Sequence, residues 1–482
     1  MAQQTTLEER GSGLTKAIVA IVVLAAGGLA FGYFSSAEDP STTTGAVGTE
    51  SAASSQAIQA ASAVRRSSFE MSAADVPDII EAPALATDGD RVYLAWASQT
   101  SDADYTLLMS RSDDGGRTLS EPRVIHTTGV HHAVSFMGGR RIERQLRVWP
   151  HLAAKNGRLY ALWLDGGEAP ESVALRFCES KDGGESFSEP IRVRHSSEGR
   201  PTFTSLTVAD DGTVVCSWLD SRNRAQQPFA AVRRPGREVF EEEQLVYSGP
   251  NDKGICPCCP TESVVTSSGE TLVAFRGSES GYRDMWIGRL APGATAFAAP
   301  VPVVSPTWEF GGCPHDGPVM AEAGQHLHIV WMDGRSGAGR VFYGRSAVDD
   351  LQFASRELAA GSAIQGHPAM AAAGQDVHVV WDEMGGGAAT TSQPSTSQPS
   401  TSQPSAGTAG RAIMYCRSAD GGDTFGAPIA IDAKPGVFQT RPRLAILDDG
   451  AVCMAWMEVA EAGKEIVLAR LDDPASFASG TR

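Results

Sequence analysis

The sequence predicts an all-β fold, a β-propeller of seven blades, behind one N-terminal transmembrane helix. Two short apolar or alternating runs joined by a Gly or Asp turn recur along the chain, each pair followed by a third and a fourth run, which is the pattern of four antiparallel strands. Four-stranded sheets repeated around a ring form a propeller. The second run of each of the seven copies ends at an aromatic residue: Trp96, Trp163, Trp218, Phe275, Trp331, Trp381 and Trp456.

The N-terminal part of the chain predicts a membrane anchor. Residues 17 to 34, "AIVAIVVLAAGGLAFGYF", are apolar and uncharged, and just long enough to cross a bilayer as a helix. Lys16 precedes this run and no Lys or Arg follows before Arg65. The positive-inside rule therefore predicts a cytoplasmic segment 1–16 and a body in the periplasm or outside the cell. Cleavage after Ala37 is the alternative, and the length of the run favours an uncleaved anchor.

The remaining boundaries follow from composition. Residues 35–66, rich in Ser, Thr, Ala and Gly, predict a flexible linker, and 67–482 the propeller. The last repeat lacks an outer strand, and residues 67 to 76 are expected to supply it and so close the ring. The insertion 391–410, built on "TSQPS" repeats, predicts a disordered excursion between the second and third strands of the sixth repeat.

The net charge of the chain limits the classes of molecule that it can bind. The chain of 482 residues carries a formal net charge of -17 and has no compensating basic block. This balance excludes a nucleic-acid surface and an electrostatic contact with anionic lipid. A glycan or another small ligand, a metal ion, and the membrane reached through the N-terminal helix are the partners that fit.

Three turns between third and fourth strands share a motif. They read "SDDGGRTL", "SKDGGESF" and "SADGGDTF" and contain Asp114, Asp182 and Asp420. The Asp carboxylate can accept backbone N–H groups of its own turn, and the Gly pair permits positive φ. The motif resembles the Asp-box, or BNR repeat, of the sialidase-like β-propeller superfamily, in which it is structural.

That resemblance has implications for architecture and activity. Sialidases of the superfamily are six-bladed, which makes a six-bladed propeller the alternative fold, and they are glycoside hydrolases. They bind the sialic acid carboxylate with three arginines, the first in an Arg-Ile-Pro motif that this chain lacks. The resemblance therefore implies an exo-sialidase or a related glycoside hydrolase as the alternative function, with Arg276, Tyr282, Arg283 and Asp284 as weak catalytic candidates.

A cluster of Cys and His residues is the main candidate site. The segment "NDKGICPCCPTES" contains Cys256, Cys258 and Cys259 directly before one first strand, and "FGGCPHDGP" contains Cys313 and His315 directly before the next. Equivalent positions in adjacent blades bring both segments to the mouth of the central channel. Thiolate and imidazole ligands would select a soft ion, Cu or Zn.

Further histidines and competing interpretations remain open. His151 and His367 open two other first strands and are additional candidate ligands. A disulfide from Cys313 to one of the three preceding cysteines is an alternative in an extracytoplasmic compartment, and redox chemistry at a cysteine pair is another. The sequence thus favours a binding or metal-handling module over a hydrolase.

Carboxylates and arginines recur in the loops after the second strands. They could bind a sugar and run acid/base hydrolysis, or they could fasten the loops. The repeated "WLD", "WMD" and "WDE" favours fastening. The residues concerned are Asp165, Asp220 with Arg222, Arg276 with Arg283 and Asp284, Asp333 with Arg335, and Asp382 with Glu383.

Overall fold

The computed structural model describes residues 64–70, 82–99, 101, 104–129, 132–137, 140–145, 148–166, 173–385, 410–461 and 463–477. These residues form strands and loops, with short 3-10 turns at Pro250–Asp252, Glu279–Gly281 and Pro474–Phe477. Within these ranges no helix has the length and hydropathy needed to span a bilayer. The predicted transmembrane helix 17–34, its cytoplasmic segment and all but Gly410 of the insertion lie outside them.

Seven four-stranded antiparallel units follow one another in the described part of the chain. The first three units are β2 (Ala84–Asp88), β3 (Arg91–Gln99), β4 (Asp104–Ser112) and β5 (Arg123–Gly129); β8 (His151–Lys155), β9 (Arg158–Asp165), β10 (Ala174–Ser180) and β11 (Ile191–Arg192); and β12 (Pro201–Val208), β13 (Val214–Asp220), β14 (Gln227–Arg233) and β15 (Gln244–Leu245). Between the first two units a separate hairpin is formed by β6 (His132–Met137) and β7 (Arg140–Gln145).

The later units repeat this order. They are β16 (Glu262–Val265), β17 (Thr271–Arg276), β18 (Met285–Leu290) and β19 (Val301–Pro302); β20 (Val319–Ala323), β21 (His326–Asp333), β22 (Arg340–Ala347) and β23 (Ala354–Glu357); β24 (Ile364–Ala373), β25 (Asp376–Met384), β26 (Arg411–Ser418) and β27 (Ile429–Ala430); and β28 (Phe438–Ile446), β29 (Val452–Ala460), β30 (Gly463–Leu471) and β1 (Val64–Glu70). A single parallel bridge between Arg411 and Phe438 joins the last two units into one sheet.

The first strands of the units form a ring. They adjoin one another in chain order, from β2 through β8, β12, β16, β20 and β24 to β28, and β28 in turn adjoins β2. A closed ring of four-stranded sheets with its first strands innermost is the arrangement of a β-propeller, and it leaves a channel along the axis.

The last unit is completed from the N-terminal side. Strand β1 pairs along its length with β30, from Val64 opposite Leu471 to Glu70 opposite Glu465. The Arg66 guanidinium donates to the buried carboxylate of Glu458 at 2.7 Å, which holds the strand in register. The strand therefore begins three residues before the predicted boundary at 67, and residues 64–66 belong to the sheet rather than to the linker.

The second strands form the core because both of their faces are covered by neighbouring units. The indoles of Trp163, Trp218, Trp331, Trp381 and Trp456 are fully buried. Burial leaves an indole N–H in need of an acceptor, and a carboxylate two residues further along the chain supplies it in several units. Trp218 donates to Asp220 at 2.9 Å and Trp331 to Asp333 at 3.1 Å. Asp220 and Asp333 thus hold the core indoles in place, in line with the structural role that the sequence favours for these aspartates.

The three glycine-rich turns have one hydrogen-bond pattern. In the first, Ser112 Oγ accepts the N–H of Gly116 at 2.7 Å, and Asp114 Oδ1 accepts the N–H of Thr118 at 2.9 Å. Equivalent bonds surround Asp182 and Asp420. Partial burial opposes ionisation of Asp114, yet the hydrogen bonds from Thr118 and Ser112 lower the pKa of Asp114 to about 2.

Replacing Asp420 with Ala should destabilise the protein by about 1 to 2 kcal/mol, because the turn loses the acceptor for Ser418, Thr424 N–H and Thr424 Oγ1. Chemical denaturation measures the change. Asp423→Ala is the matched control, since Asp423 lies in the same turn but makes only an exposed ion pair with Arg345, worth about 0 to 1 kcal/mol. Equal effects of the two replacements would contradict a specific role for Asp420.

The eight cysteines are all free thiols in the structure. No disulfide joins Cys178 to Cys216 or Cys416 to Cys453, two pairs that lie in adjacent blades. The members of each pair pack in separate hydrophobic clusters as small apolar side chains. A disulfide from Cys313 to the cluster at 256–259 is likewise absent.

Candidate functional site

The segment that carries three cysteines lies between β15 and β16 and is buried. Cys256 is fully buried, and Cys258 and Cys259 are nearly so. The Cys256 N–H donates to the Arg276 carbonyl at 3.2 Å, which ties the loop to the end of β17. Gly254 before it has φ 81°, and a side chain there would collide with the Gln226 backbone. The backbone of this loop is thus fixed before any ligand binds.

The second segment, between β19 and β20, packs directly on the first. A Cβ on Gly317 would lie 2.6 Å from the Pro260 carbonyl oxygen, so only glycine allows this approach. Cys313 and His315 are exposed, in contrast to the buried trio. His315 has a φ of 58°, a left-handed conformation that a non-glycine residue rarely adopts and that often marks functional sites.

The sulfur atoms of the buried trio have the spacing of metal ligands. Cys256 Sγ lies 3.8 Å from Cys258 Sγ and 3.7 Å from Cys259 Sγ. Thiolates bound to one tetrahedral Zn²⁺ at about 2.3 Å lie about 3.8 Å apart, so these three positions match three corners of a tetrahedron. Thiol hydrogen bonds span the same distance. The two sulfur–sulfur distances therefore fit thiolates that share one metal ion.

Two ligand groups share Cys258. The ligand atoms of Cys256, Cys258 and Cys259 all lie within 4.8 Å of one another, and so do those of Cys258, Cys313 and His315. The sequence-predicted set of five is therefore brought together as a buried group and an exposed group. Among the described residues no other set of three or more Cys, His, Asp or Glu side chains has this spacing.

The pKa values of the cysteines in the cluster are shifted in opposite directions. Hydrogen bonds with Cys258 and Cys259 raise the pKa of Cys256, which therefore stays a thiol. A hydrogen bond with Cys256, opposed by burial, lowers the pKa of Cys313 to about 5. Burial opposes ionisation of Cys259, but hydrogen bonds from Cys256 and Cys258 and the charge of Arg276 lower its pKa. The lowered pKa values of Cys259 and Cys313 favour the thiolate, which is the form that binds metal.

Arg276, expected as a catalytic candidate, lies beneath this cluster and is fully buried. Its guanidinium donates to three backbone carbonyls: those of Arg283 at 2.6 Å, Met332 at 2.7 Å and Asp316 at 3.1 Å. One of these acceptors, Asp316, lies in the segment that carries Cys313 and His315. The side chain positions these loops and places a positive charge beside Cys259.

The other catalytic candidates are engaged in loop contacts. Asp284 is buried and accepts the N–H of Thr307 at 2.9 Å and its hydroxyl at 2.8 Å. Arg283 Nε donates to the Gly312 carbonyl at 3.2 Å, directly before Cys313. Tyr282 is half-buried and forms an isolated backbone bridge with Glu309. A catalytic role for these residues stays a prediction.

His367 belongs to a polar group beside the metal candidates. Its Nδ1 lies 2.8 Å from Asp382 Oδ2, and its backbone N–H donates to Asp316 Oδ2 at 2.5 Å. Asp382 is fully buried, and Arg411 Nη2 lies 2.6 Å from its Oδ1. The Asp316 N–H also donates to the Cys259 sulfur. A carboxylate that orients the far nitrogen of an imidazole is typical of metal centres, although His367 is in neither ligand group.

His151 lies at a different level, on the first strand of the second unit. It occurs in neither ligand group, and its Nε2 is buried without a hydrogen-bond partner among the described residues. Burial and the charge of Arg443 lower the pKa of His151 to about 3, so the imidazole is neutral. Arg443 also faces Glu262, three residues after Cys259.

The sequence interpretation missed Glu262, Asp316 and Arg443. The repeats contained a signal for Glu262 and Arg443. In each unit one first-strand residue pairs with the residue that directly precedes the core aromatic, so these seven first-strand residues are equivalent. Those residues are Ala84, His151, Ser205, Glu262, Val319, Ala369 and Arg443. Against a background of small side chains, a Glu, an Arg and a His at one position stand out.

Comparison with known proteins found solved structures that are similar to this chain. No protein-family model and no curated protein match the chain. A protein of unknown function from Dyadobacter fermentans has a TM-score of 0.46 at 12% identity, over 85% of this chain and 98% of that one. The β-propeller domain of the trilobed protease from Pyrococcus furiosus has a TM-score of 0.43 at 7% identity, over 80% and 94%. The sialidase of Trypanosoma rangeli has a TM-score of 0.40 at 10% identity, over 72% and 58%.

Proposed function

We propose that this chain is a membrane-anchored, extracytoplasmic, seven-bladed propeller of the sialidase-like type that binds one soft metal ion, Cu(I) or Zn²⁺, as a binding or metal-handling module. Cys256, Cys258, Cys259, Cys313 and His315 are its ligands. The observation that carries the proposal is the spacing of Cys256 Sγ to its two neighbours, at 3.8 and 3.7 Å.

The choice of metal rests on the chemistry of the donors. Four sulfurs and one imidazole form a soft set, which favours Cu(I) and Zn²⁺ over the hard ions that prefer oxygen. Arg276 balances part of the negative charge that the thiolates bring into the loop. Lowered pKa values at Cys259 and Cys313 supply thiolates without strong base.

The glycoside-hydrolase alternative gains no specific support from the expected residues. Arg276 donates to three carbonyls and Asp284 accepts from Thr307, so neither has a vacant face toward a substrate in this arrangement. We therefore propose a single function.

The test is metal stoichiometry on the full-length chain in detergent, kept reduced with a phosphine. Loading with Cu(I) or Zn²⁺, desalting and elemental analysis should give about one ion per chain, as expected for one metal centre. Alkylation should then modify fewer cysteines than in the metal-free protein, by the number of thiolates bound. Cys178→Ala is the matched control, since Cys178 is equally buried but lies outside the cluster.

Two results would contradict the proposal. One is full alkylation of the cluster after loading, with no retained metal. The other is a chain isolated from an oxidising compartment with the same cysteines in disulfides, which would make the cluster a covalent staple.

A further inference from the structure

Three polar side chains lie at one level of the central channel and take no part in the proposed metal centre. Strands β8, β16 and β28 contribute His151, Glu262 and Arg443 at equivalent register positions. The other four units have Ala84, Ser205, Val319 and Ala369 at that position, which are small and leave space beside the three longer side chains.

Arg443 faces both of the other side chains across the axis of the ring. Arg443 belongs to the seventh unit, Glu262 to the fourth and His151 to the second, and none of these units is adjacent to another. Arg443 nevertheless interacts electrostatically with both partners. Side chains of non-adjacent units can face one another only through the channel. Each is half-buried, as expected in a narrow passage with protein on all sides.

None of the three has a full set of hydrogen bonds among the described residues. Arg443 Nη1 donates only to the carbonyl of Pro442, at 3.1 Å. The Nε2 atom of His151 is buried without a partner. Within the described part of the chain, the Glu262 carboxyl group forms no hydrogen bond or ion pair and interacts with Arg443 through charge alone. Buried polar groups are normally paired, so unpartnered ones that converge on a space indicate a ligand.

The charge of this group is positive at neutral pH. Burial raises the pKa of Glu262 to about 8 against the opposing charge of Arg443, which is the group that faces it. The Glu262 carboxyl is thus protonated and donates. His151 is neutral, and Arg443, which faces Glu262 and Asp316, stays charged because a guanidinium does not lose its proton in proteins. A guanidinium, an acid O–H and an imidazole N–H then converge, with one net positive charge.

We propose that the channel binds a small oxyanion, inorganic or carboxylate, between Arg443, Glu262 and His151. The anion supplies the negative charge that balances Arg443, and it accepts hydrogen bonds from the three donors. This site is separate from the metal centre and does not depend on a bound metal ion. A Glu262 that loses its proton would repel the anion, so binding weakens as the pH rises through the pKa of Glu262.

Isothermal titration of the full-length, metal-free chain with sulfate, phosphate and acetate, at constant ionic strength with chloride, tests the proposal. At least one should bind, and Arg443→Gln should weaken it about tenfold or more, as expected when a charged hydrogen-bond donor is lost. Arg289→Gln is the matched control, since Arg289 is ion-paired with Glu270 away from the channel and its loss should leave binding unchanged. Comparing the affinity for sulfate or phosphate with the affinity for acetate shows whether the ligand is an inorganic anion or a carboxylate.

A second variant guards against misfolding of Arg443→Gln. Glu262→Gln keeps a donor but cannot ionise, so sulfate or acetate should bind it equally at about pH 7 and 9, while wild-type affinity falls. Three results would overturn the proposal: no binding of any anion, binding unchanged in Arg443→Gln, or the same pH dependence in Glu262→Gln as in the wild type. The first is also what a water-bridged pair between Glu262 and Arg443 would give.

Discussion

Replacing Cys258 with serine should lower the affinity for Cu(I) or Zn²⁺ by about a hundredfold, the largest effect of any single change in the cluster. Cys258 is the one residue common to the buried and the exposed ligand groups. Structural zinc sites contribute roughly 10 to 16 kcal/mol, so an equal share for each of the five proposed ligands is about 2 to 3 kcal/mol. A serine hydroxyl stays protonated at neutral pH and is a poor ligand for a soft ion.

The measurement is competition with a coloured Cu(I) or Zn²⁺ chelator of known affinity. Cys313→Ser should have a smaller effect, because the buried trio of Cys256, Cys258 and Cys259 stays intact. Cys178→Ala should match the wild type. Equal losses in all three variants would indicate a general effect on folding, and an unchanged affinity in Cys258→Ser would remove the shared ligand from the proposal.

The repeats made the fold readable from the sequence. Each second strand is central in its sheet, so both of its faces are buried, and it appears as an apolar run that ends in an aromatic residue. The glycine-rich turns are local: the bonds of Asp114 form within five residues, and short-range chemistry predicts them. The strand β1 was harder to delimit, because its partner β30 is about 400 residues away in the chain.

The site was only partly predictable. Cys256, Cys258 and Cys259 are recognisable because cysteine has few other uses in that pattern, and equivalent positions in adjacent units place Cys313 beside them. The role of Arg276 was not predictable, because residues of two loops and of strand β21 accept its hydrogen bonds and no local pattern contains them. Glu262 and Arg443 face each other across a ring that exists only after closure.

Replacing Glu262 with glutamine should stabilise the protein by an amount that grows with pH, up to about 3 to 5 kcal/mol near pH 8. Burial raises the pKa of Glu262 to about 8 in the folded chain, from the ordinary glutamate value of 4.5. Between these values the unfolded chain releases the proton and the folded chain keeps it, so wild-type stability falls as the pH rises. Above the folded pKa both states are ionised and the loss is complete. Glutamine does not titrate and avoids it.

Urea unfolding at intervals from about pH 5 to pH 9, in bis-Tris and Tris chloride without oxyanions, measures the difference between variant and wild type. The difference should be small near the ordinary pKa of a glutamate, rise steadily above it, and level off beyond about pH 8. Glu121→Gln is the matched control, because Glu121 is exposed and its replacement should give a constant difference near zero. A difference that does not change with pH would mean that Glu262 is ionised in the folded protein, paired with Arg443 through water, and would remove the acid O–H from the channel site.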